Sequence, residues 1–288
     1  PPDLHLDQVD AEEIFRIAVG AAIDVEIISV QEWVAGLAMV TDHYKKGRIV
    51  LAGDAVHLFT PSGGFGFNTG IDDAANIGWK LAAMIEGWGG EKLIESYEIE
   101  RHPIGVRNTT TSGQYANKIG SLKFPDFIEE ESARGKAARD VLREDLATFK
   151  EEFASLGIVL GARYDSSPLI INDGTLPPPD EPANYIPSAT PGGRMPHYWI
   201  GEKESVFDRL GEWFNLVRIG PDAPAVSDFE QAAKKLNMPM AVVQLDEAAA
   251  EEFYQARLLL VRPDQHVAWR SNDVPDDVAE ILKTVIGS

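Results

Sequence analysis

A glycine-rich stretch carries the residue types best suited to bind a ligand through the protein backbone. A hydrophobic segment, residues 48–52, ends at a Gly-Asp pair, and an aromatic loop, a glycine-rich turn and a long helix are predicted to follow. Backbone N–H groups at such a turn and helix start can bind an anionic or electron-rich ligand edge. The candidate contacts are Gly53, Asp54, Pro61, Gly64, Gly66, Phe67 and Asn68.

These residue types have distinct uses. The carboxylate of Asp54, at a strand end, can accept hydrogen bonds from the hydroxyls of a ribitol or ribose chain. Glycines remove side chains where a flat ligand approaches the backbone, and Asn68 adds an amide. An ordinary glycine-rich turn before a capped helix would explain the same spacing, so the spacing alone leaves both interpretations open.

The elements that would position this turn follow from periodicity and helix breakers. A short amphipathic helix is predicted over 11–17, and β-branched runs predict strands over 24–30 and 33–41. Residues 72–86 are apolar on more than one face, which indicates a buried helix. A further helix is predicted from 92 to 102, before Pro103.

The second half of the chain begins with one or two solvated helices over 127–156. Seven prolines between 174 and 196 then indicate an extended linker. From 194 onward the pattern predicts a βαβ unit, a β-hairpin closed by a turn at 262–265, and a final helix, which resembles a thioredoxin-like fold. Without cysteine this part can have no thiol chemistry, so a structural or interface role is expected.

Composition excludes several classes of function. The net charge of −20 argues against a nucleic-acid partner, and zero cysteines exclude disulfides and thiolate metal sites. No uncharged apolar run is long enough for a membrane span, and the six histidines lack metal-ligand spacing, so neither a membrane nor a metal is expected. We expect a cytoplasmic protein, and the missing initiator Met suggests a processed, cleaved or truncated chain.

The assembled motifs resemble a known family. GRIVLAGDAVH, PSGGFGFNTG, DDAANIGWKL and SYEIERHPIGVRNT resemble the aromatic-hydroxylase branch of the FAD-dependent class A flavoprotein monooxygenases, which includes phenol and polyketide hydroxylases. GGRMPHYWI and LLLVRPDQHVAWR resemble the appended thioredoxin-like domain of its phenol-hydroxylase-type members. The resemblance implies a mixed α/β (α+β) fold and FAD as cofactor.

For individual residues the resemblance implies that Asp54 contacts the ribityl and pyrophosphate region of FAD. Pro61 and the backbone from Gly64 to Asn68 would lie along the isoalloxazine, and the helix start would stabilise the reduced flavin. No catalytic base is named by these motifs. We interpret five other matching or nearby residues as structural or ion-paired: His57, Trp79, Lys80, Arg101 and Arg107.

The chain also departs from the family. The family's N-terminal Gly-x-Gly-x-x-Gly segment and its middle Asp-Gly motif have no counterpart, so we expect a C-terminal portion that needs a missing N-terminal FAD-binding portion as its partner. The expected domains are the end of a substrate-binding sheet domain (1–47), the C-terminal part of the FAD-binding domain (48–172), the linker (173–193) and the thioredoxin-like domain (194–288).

The reaction implied by the resemblance is hydroxylation of a small phenolic or aromatic substrate. NADH or NADPH would reduce FAD, and oxygen would be transferred through a flavin C4a-hydroperoxide. Three alternatives stay open: a Baeyer–Villiger oxidation, an epoxidation, and a non-catalytic fragment or assembly module of such an enzyme. A homodimer is among the assemblies expected.

Overall fold

Two units make up the chain, residues 1–36 and residues 37–288. The computed structural model describes residues 10–31 and 37–288. In the first unit, the predicted amphipathic helix is present as α1 (Ala11–Val19), and the Asp10 side chain caps it by accepting from the N–H of Glu13 at 3.0 Å. The strand predicted over 24–30 is wrong, because residues 22–31 are irregular. A β-branched run becomes a strand only beside a partner strand, and none pairs with this segment among the described residues.

Four very short strands frame the Gly53–Asp54 turn. β1 (Met39–Val40) pairs antiparallel with β4 (His57–Leu58), and β2 (Lys45–Lys46) pairs with β3 (Ile49–Val50). The strand predicted over 33–41 is thus reduced to two residues, and its positions 33–36 lie outside the described residues. A 3-10 turn over Gly53–Ala55 separates β3 from β4.

Two long helices follow. α2 (Phe65–Ile85) begins seven residues before the predicted helix because the turn residue Gly64 adopts φ +66 and the chain becomes helical directly after it. α3 (Lys92–Gly120) runs through Pro103, where the sequence predicted an end or a kink. Proline removes one helical hydrogen bond, but the buried side chains on both sides of it hold the helix in place.

The predicted solvated helices are shorter than expected. They appear as α4 (Ala133–Ala147), the single turn α5 (Lys150–Phe153) and α6 (Leu156–Leu160). No helix or strand lies between 160 and 199, in agreement with the proline-rich linker. Arg107 on α3 ties this linker down through a two-point ion pair with Asp180.

The C-terminal sheet has the predicted thioredoxin-like arrangement. β7 (Phe214–Ile219) and β8 (Met240–Leu245) are parallel and joined by α8 (Ser227–Lys235), and β9 (Leu258–Val261) and β10 (Val267–Ser271) form the hairpin. The strand order is β10-β9-β7-β8, with β9 antiparallel to β7. Five further elements complete this part: β5 (Trp199–Ile200), β6 (Glu204–Ser205), α7 (Val206–Arg209), α9 (Ala248–Tyr254) and α10 (Val278–Val285).

Alternation along the strands divides the core into two faces. Leu216 and Leu258 point to one face and Val217 and Leu259 to the other, as successive strand side chains must. The first face packs in one cluster with apolar residues of α2 and α3, including Trp79. The sheet therefore shares its core with the helices that carry the glycine turn.

Candidate functional site

An open cleft of about 700 Å³ lies beside the glycine turn. One wall is formed by the turn and the start of α2, and the other by residues 152–159 of α5 and α6. Clefts of several hundred cubic ångströms with an apolar lining and a few polar groups are the usual form of a small-molecule site. The lining residues used below are Pro61, Gly63, Gly64, Phe65, Asn68, Glu152, Phe153, Leu156 and Val159.

The turn presents backbone rather than side chain to the cleft. Gly63 and Gly64 have φ +80 and +66, values that favour glycine. A Cβ added at Gly64 would meet no atom within 4 Å, so open space lies in front of its backbone. Asn68 Nδ2 donates to the Gly64 carbonyl at 2.9 Å, which fixes the turn to the first turn of α2. A flat ligand can therefore approach the backbone closely here.

The predicted contacts fall into two groups. Pro61, Gly64 and Asn68 line the cleft, whereas Gly66 packs beside the ring of Phe59, and Phe67 is 79% exposed. Phe65 is buried against Tyr115 and Ile158 at the base of the same region. Phe65 and Phe67 thus lie in different environments, one buried at the base of the cleft and the other exposed.

Gly53 and Asp54 form the second group, at the 3-10 turn before β4. Gly53 adopts φ +61, and a Cβ at Gly70 of α2 would lie 3.2 Å from its Cα. The Gly53 N–H donates to Asp73 Oδ2 at 3.0 Å, so α2 holds this turn. Asp54 is exposed, and its carboxylate accepts no hydrogen bond within the described part of the chain. The carboxylate is free to bind ligand hydroxyls.

Asp73 is the buried centre that orders this turn. His57 Nε2 lies 2.8 Å from Asp73 Oδ2, and Arg101 Nε donates to Oδ1 at 2.7 Å. Burial opposes ionisation of the carboxyl, but the His57 hydrogen bond and the Arg101 charge outweigh it and lower the pKa of Asp73. Asp73 thus holds His57 and Arg101 in contact with its carboxylate inside the protein, which agrees with the structural interpretation of the two residues.

A second buried cluster joins α2 and α3 to the β9–β10 turn. Glu100 accepts from Lys80 Nζ at 2.7 Å and from both terminal nitrogens of Arg262 at 2.7 and 2.8 Å. Asp264 pairs with Arg262 at 2.6 Å and accepts from Trp79 Nε1 at 3.2 Å. Trp79 and Lys80 are thus structural, as predicted, whereas the sequence indicated only a tight turn for residues 262–265.

Burial and charge act against each other on these groups. Burial opposes ionisation of Glu100, but the charges of Arg262 and Lys80 outweigh it and hold the pKa of Glu100 well below its usual range. Burial, helped by the neighbouring Arg262 charge and opposed by Glu100, lowers the pKa of Lys80 to about 8. A buried network of this kind fixes geometry because each member loses its partner if another moves.

The second wall of the cleft is the feature that the sequence did not predict. The charge pattern predicts solvated helix over 127–156, yet Glu152, Phe153 and Leu156 of this segment face the cleft. The only signal was the apolar spacing at 149, 153 and 156, which the charged residues nearby obscured. Charge patterning describes one face of a helix and does not show what the opposite face packs against.

Comparisons with known proteins match both parts of the chain. Residues 5–112 match the FAD binding domain family, and residues 188–288 match the family described as aromatic-ring hydroxylase, C-terminal. The first match includes the Gly53–Asp54 turn and the glycine turn, and the second includes the thioredoxin-like sheet. The chain belongs to the class A flavoprotein hydroxylase family.

Curated relatives and a solved structure agree with this family assignment. The FAD-dependent monooxygenase opdD of Penicillium oxalicum is 33% identical over 294 residues, covering 96% of this chain and 56% of that protein. Phenol 2-monooxygenase of a Pseudomonas species is 32% identical over 327 residues, covering 99% and 52%. The structure of RebC with bound 7-carboxy-K252c is 33% identical with a TM-score of 0.86, covering 98% and 53%. The chain spans about half the length of the curated relatives it matches.

The described ranges contain neither a membrane-spanning helix nor a metal-binding cluster. No helix within residues 10–31 and 37–288 has both the length and the apolar character needed to cross a bilayer. In the same part of the chain, no group of three or more His, Cys, Asp or Glu side chains is arranged to hold a metal ion.

Proposed function

We propose that this chain forms the flavin-edge side of the cofactor site in an FAD-dependent aromatic hydroxylase. It would act with a further FAD-binding portion and use NADH or NADPH as the reductant. The observation that carries the proposal is the cleft between the glycine turn and residues 152–159, with two consecutive positive-φ glycines on one wall. This turn lies within the segment that matches the FAD binding domain.

The residues present fit a flavin ring. Open space faces the backbone of Gly64, and Phe65 and Pro61 contribute apolar surface. The cleft volume of about 700 Å³ lies in the range of sites that bind fused aromatic ligands. FAD, when bound, supplies the redox and oxygen-transfer chemistry that amino-acid side chains lack. The tasks of this chain are to bind, to orient and to exclude water.

Each task has a candidate group. The exposed Asp54 carboxylate would accept hydrogen bonds from ribityl hydroxyls, while the N–H groups of the turn would donate to the electron-rich edge of the ring. The N-terminal end of α2 would stabilise negative charge at that edge, by about 0.3–1 kcal/mol at an exposed site and more where water is excluded. Apolar side chains of the second wall, Phe153 and Leu156, would keep water from the ring and contact a phenolic substrate.

The first test is the protein as isolated, with any polypeptide that accompanies it. We expect flavin absorption bands, and oxidation of NADH or NADPH coupled to hydroxylation of a phenol. Asp54→Asn should weaken FAD retention, whereas Asp42→Asn, another exposed aspartate, should leave it unchanged. Equal FAD retention by the two variants would contradict the role of Asp54.

The products separate the alternatives. Conversion of a ketone to an ester would indicate a Baeyer–Villiger oxidation, and conversion of an alkene to an epoxide would indicate an epoxidation. Either product would contradict hydroxylation. Failure to retain FAD even beside a family FAD-binding portion would instead favour a non-catalytic assembly module.

A further inference from the structure

A carboxylate of this chain occupies one of the backbone donors of the cleft. Glu152 Oε1 accepts from the N–H of Gly63 at 3.3 Å, and both residues line the cleft. Gly63 is the first of the two positive-φ glycines. An internal acceptor therefore competes for an amide that a ligand with an electron-rich edge would use.

The wall that carries Glu152 is held by contacts other than its side chain. Lys118 Nζ on α3 donates to the Thr148 carbonyl at 2.7 Å and lies 5.0 Å from the centre of the Phe149 ring. Tyr115 Oη donates to the Glu151 carbonyl at 3.4 Å. Changing Glu152 should therefore leave α5 in place, because these contacts precede it and involve backbone carbonyls and a ring.

The residues that follow Glu152 expose apolar surface to the same space. Phe153 is 86% exposed, Leu156 55% and Val159 62%, and all three line the cleft. Ala154 leaves the helical conformation, with φ −132 and ψ 55, so α5 ends at the cleft. An apolar wall with one carboxylate at its edge suits a planar aromatic ligand whose polar edge meets the glycine turn.

We propose that Glu152 limits the affinity of this cleft for its ligand. Its carboxylate competes with the ligand edge for the Gly63 amide and repels a negative charge at that edge, in opposition to the N-terminus of α2. A ligand must displace Glu152 to use this donor, so removing the carboxylate tightens binding. The inference rests on the proposed function, because a flavin ring is the ligand considered.

The test uses the full chain and two measurements. The first is amide hydrogen exchange at Gly63, which needs no ligand. Glu152→Ala should speed exchange at Gly63 and leave Gly70, inside α2, unchanged. Glu151→Ala is the matched control, since Glu151 contacts α3 through its carbonyl and not through its carboxylate.

The second measurement is a titration with lumiflavin, the flavin ring without its ribityl chain, followed by amide chemical shifts of residues 63–66. Glu152→Ala and Glu152→Gln should bind about 2- to 10-fold more tightly than the unmodified chain, the range expected for one competing hydrogen bond. The Glu151→Ala variant should bind like the unmodified chain.

The outcomes are separable. Unchanged exchange at Gly63 in Glu152→Ala would overturn the inference whatever the flavin result, because the contact would not exist in solution. Faster exchange with equal lumiflavin affinity would overturn the competition and leave the flavin function standing. If lumiflavin shifts no amide of the cleft in any variant, the competition between Glu152 and a flavin for the Gly63 amide is overturned. The proposed function is then decided separately, by FAD retention beside a family FAD-binding portion.

Discussion

At the scale of residues, the family motif on α2 divides into two kinds of function. The glycines that precede the helix present bare backbone to a cleft, whereas Asp73, Asn76 and Lys80 point into the protein and pair with buried groups. Their buried partners explain why polar residues lie in a helix interior, where an unpaired charge would be costly. Most of the helical part of the motif is therefore structural.

The Glu100 cluster gives a test at this scale. Glu100→Gln should destabilise the protein by about 3–5 kcal/mol, because buried Lys80 would lose its charged partner and Arg262 would lose one of its two. The matched control is Asp140→Asn, which breaks the exposed pair with Arg143 and should change stability by less than about 0.5 kcal/mol. Urea unfolding followed by circular dichroism measures both, and a loss below about 1 kcal/mol in Glu100→Gln would contradict the role assigned to the cluster.

Acidification should reduce the difference in stability between the unmodified protein and Glu100→Gln. The pKa of Glu100 is depressed in the folded protein, so its contribution is present above the ordinary carboxyl pKa and is lost as the pH falls toward the folded value. The deficit of Glu100→Gln should accordingly be largest near neutral pH. A deficit independent of pH would indicate that packing, and not charge, causes the loss.

At the scale of elements, α2 and α3 are held together by buried polar pairs. Asp73, Asn76 and Lys80 follow one another at three- and four-residue spacing on α2. Asp73 pairs with Arg101 of α3, and Asn76 and Lys80 pair with the adjacent Glu100. These pairs fix the register of the two helices. α3 continues past Pro103 because its partners along this interface compensate for the missing hydrogen bond.

Packing of the linker on α6 gives a second test. A methyl group at Gly157 would overlap the carbonyl oxygen of Glu181, so Gly157→Ala should destabilise the protein by about 2 kcal/mol or more. Gly78 lies on the exposed side of α2 with nothing within 4 Å of an added Cβ, and Gly78→Ala should stabilise by about 0.5–1 kcal/mol. Thermal unfolding compares the two, and equal effects would contradict the close contact of α6 with the linker.

At the scale of the whole molecule, the C-terminal sheet is more than an appended domain. One of its faces shares an apolar cluster with α2 and α3, and Arg262 reaches from its hairpin turn to Glu100. The same contacts lie next to Asp73, which holds the Gly53 turn. A cysteine-free thioredoxin-like sheet thus serves as a support for the helices that hold the Gly53 turn.

Buried tyrosines predict how the whole molecule responds to alkali. Burial raises the pKa of Tyr164 to about 12 and that of Tyr44, Tyr97 and Tyr254 further. Above the ordinary value of 10.0 the unfolded chain loses these protons while the folded protein keeps them, so stability should fall as the pH rises past 10.0. Lys80 has the opposite effect between about pH 8 and pH 10.5, because its pKa is lower in the folded protein than in the unfolded chain. It is a single group, whereas four tyrosines lower the stability.

Urea unfolding at increasing pH, together with tyrosinate absorbance, measures this loss. Tyr44→Phe is the useful variant, since the Tyr44 hydroxyl has no hydrogen-bond partner within the described residues and its removal should cost little. Tyr44→Phe should lose less stability at alkaline pH than the unmodified protein does. Ionisation of all the tyrosines near the ordinary pKa before unfolding would contradict their burial.

Local chemistry made much of this protein predictable from its residues. The glycine turn, the linker, and the C-terminal βαβ unit and hairpin follow from backbone preferences, proline and strand alternation, all of which act over a few residues. The family was indicated by the resemblance of the assembled motifs. Pairing partners did not follow, since they lie far apart in the chain: Glu100 meets Arg262, and Glu152 meets Gly63. The short strands at 39–40 and 49–50, the early start of α2 and the second wall of the cleft were likewise decided by tertiary packing, because only the folded chain supplies the neighbours that these segments need.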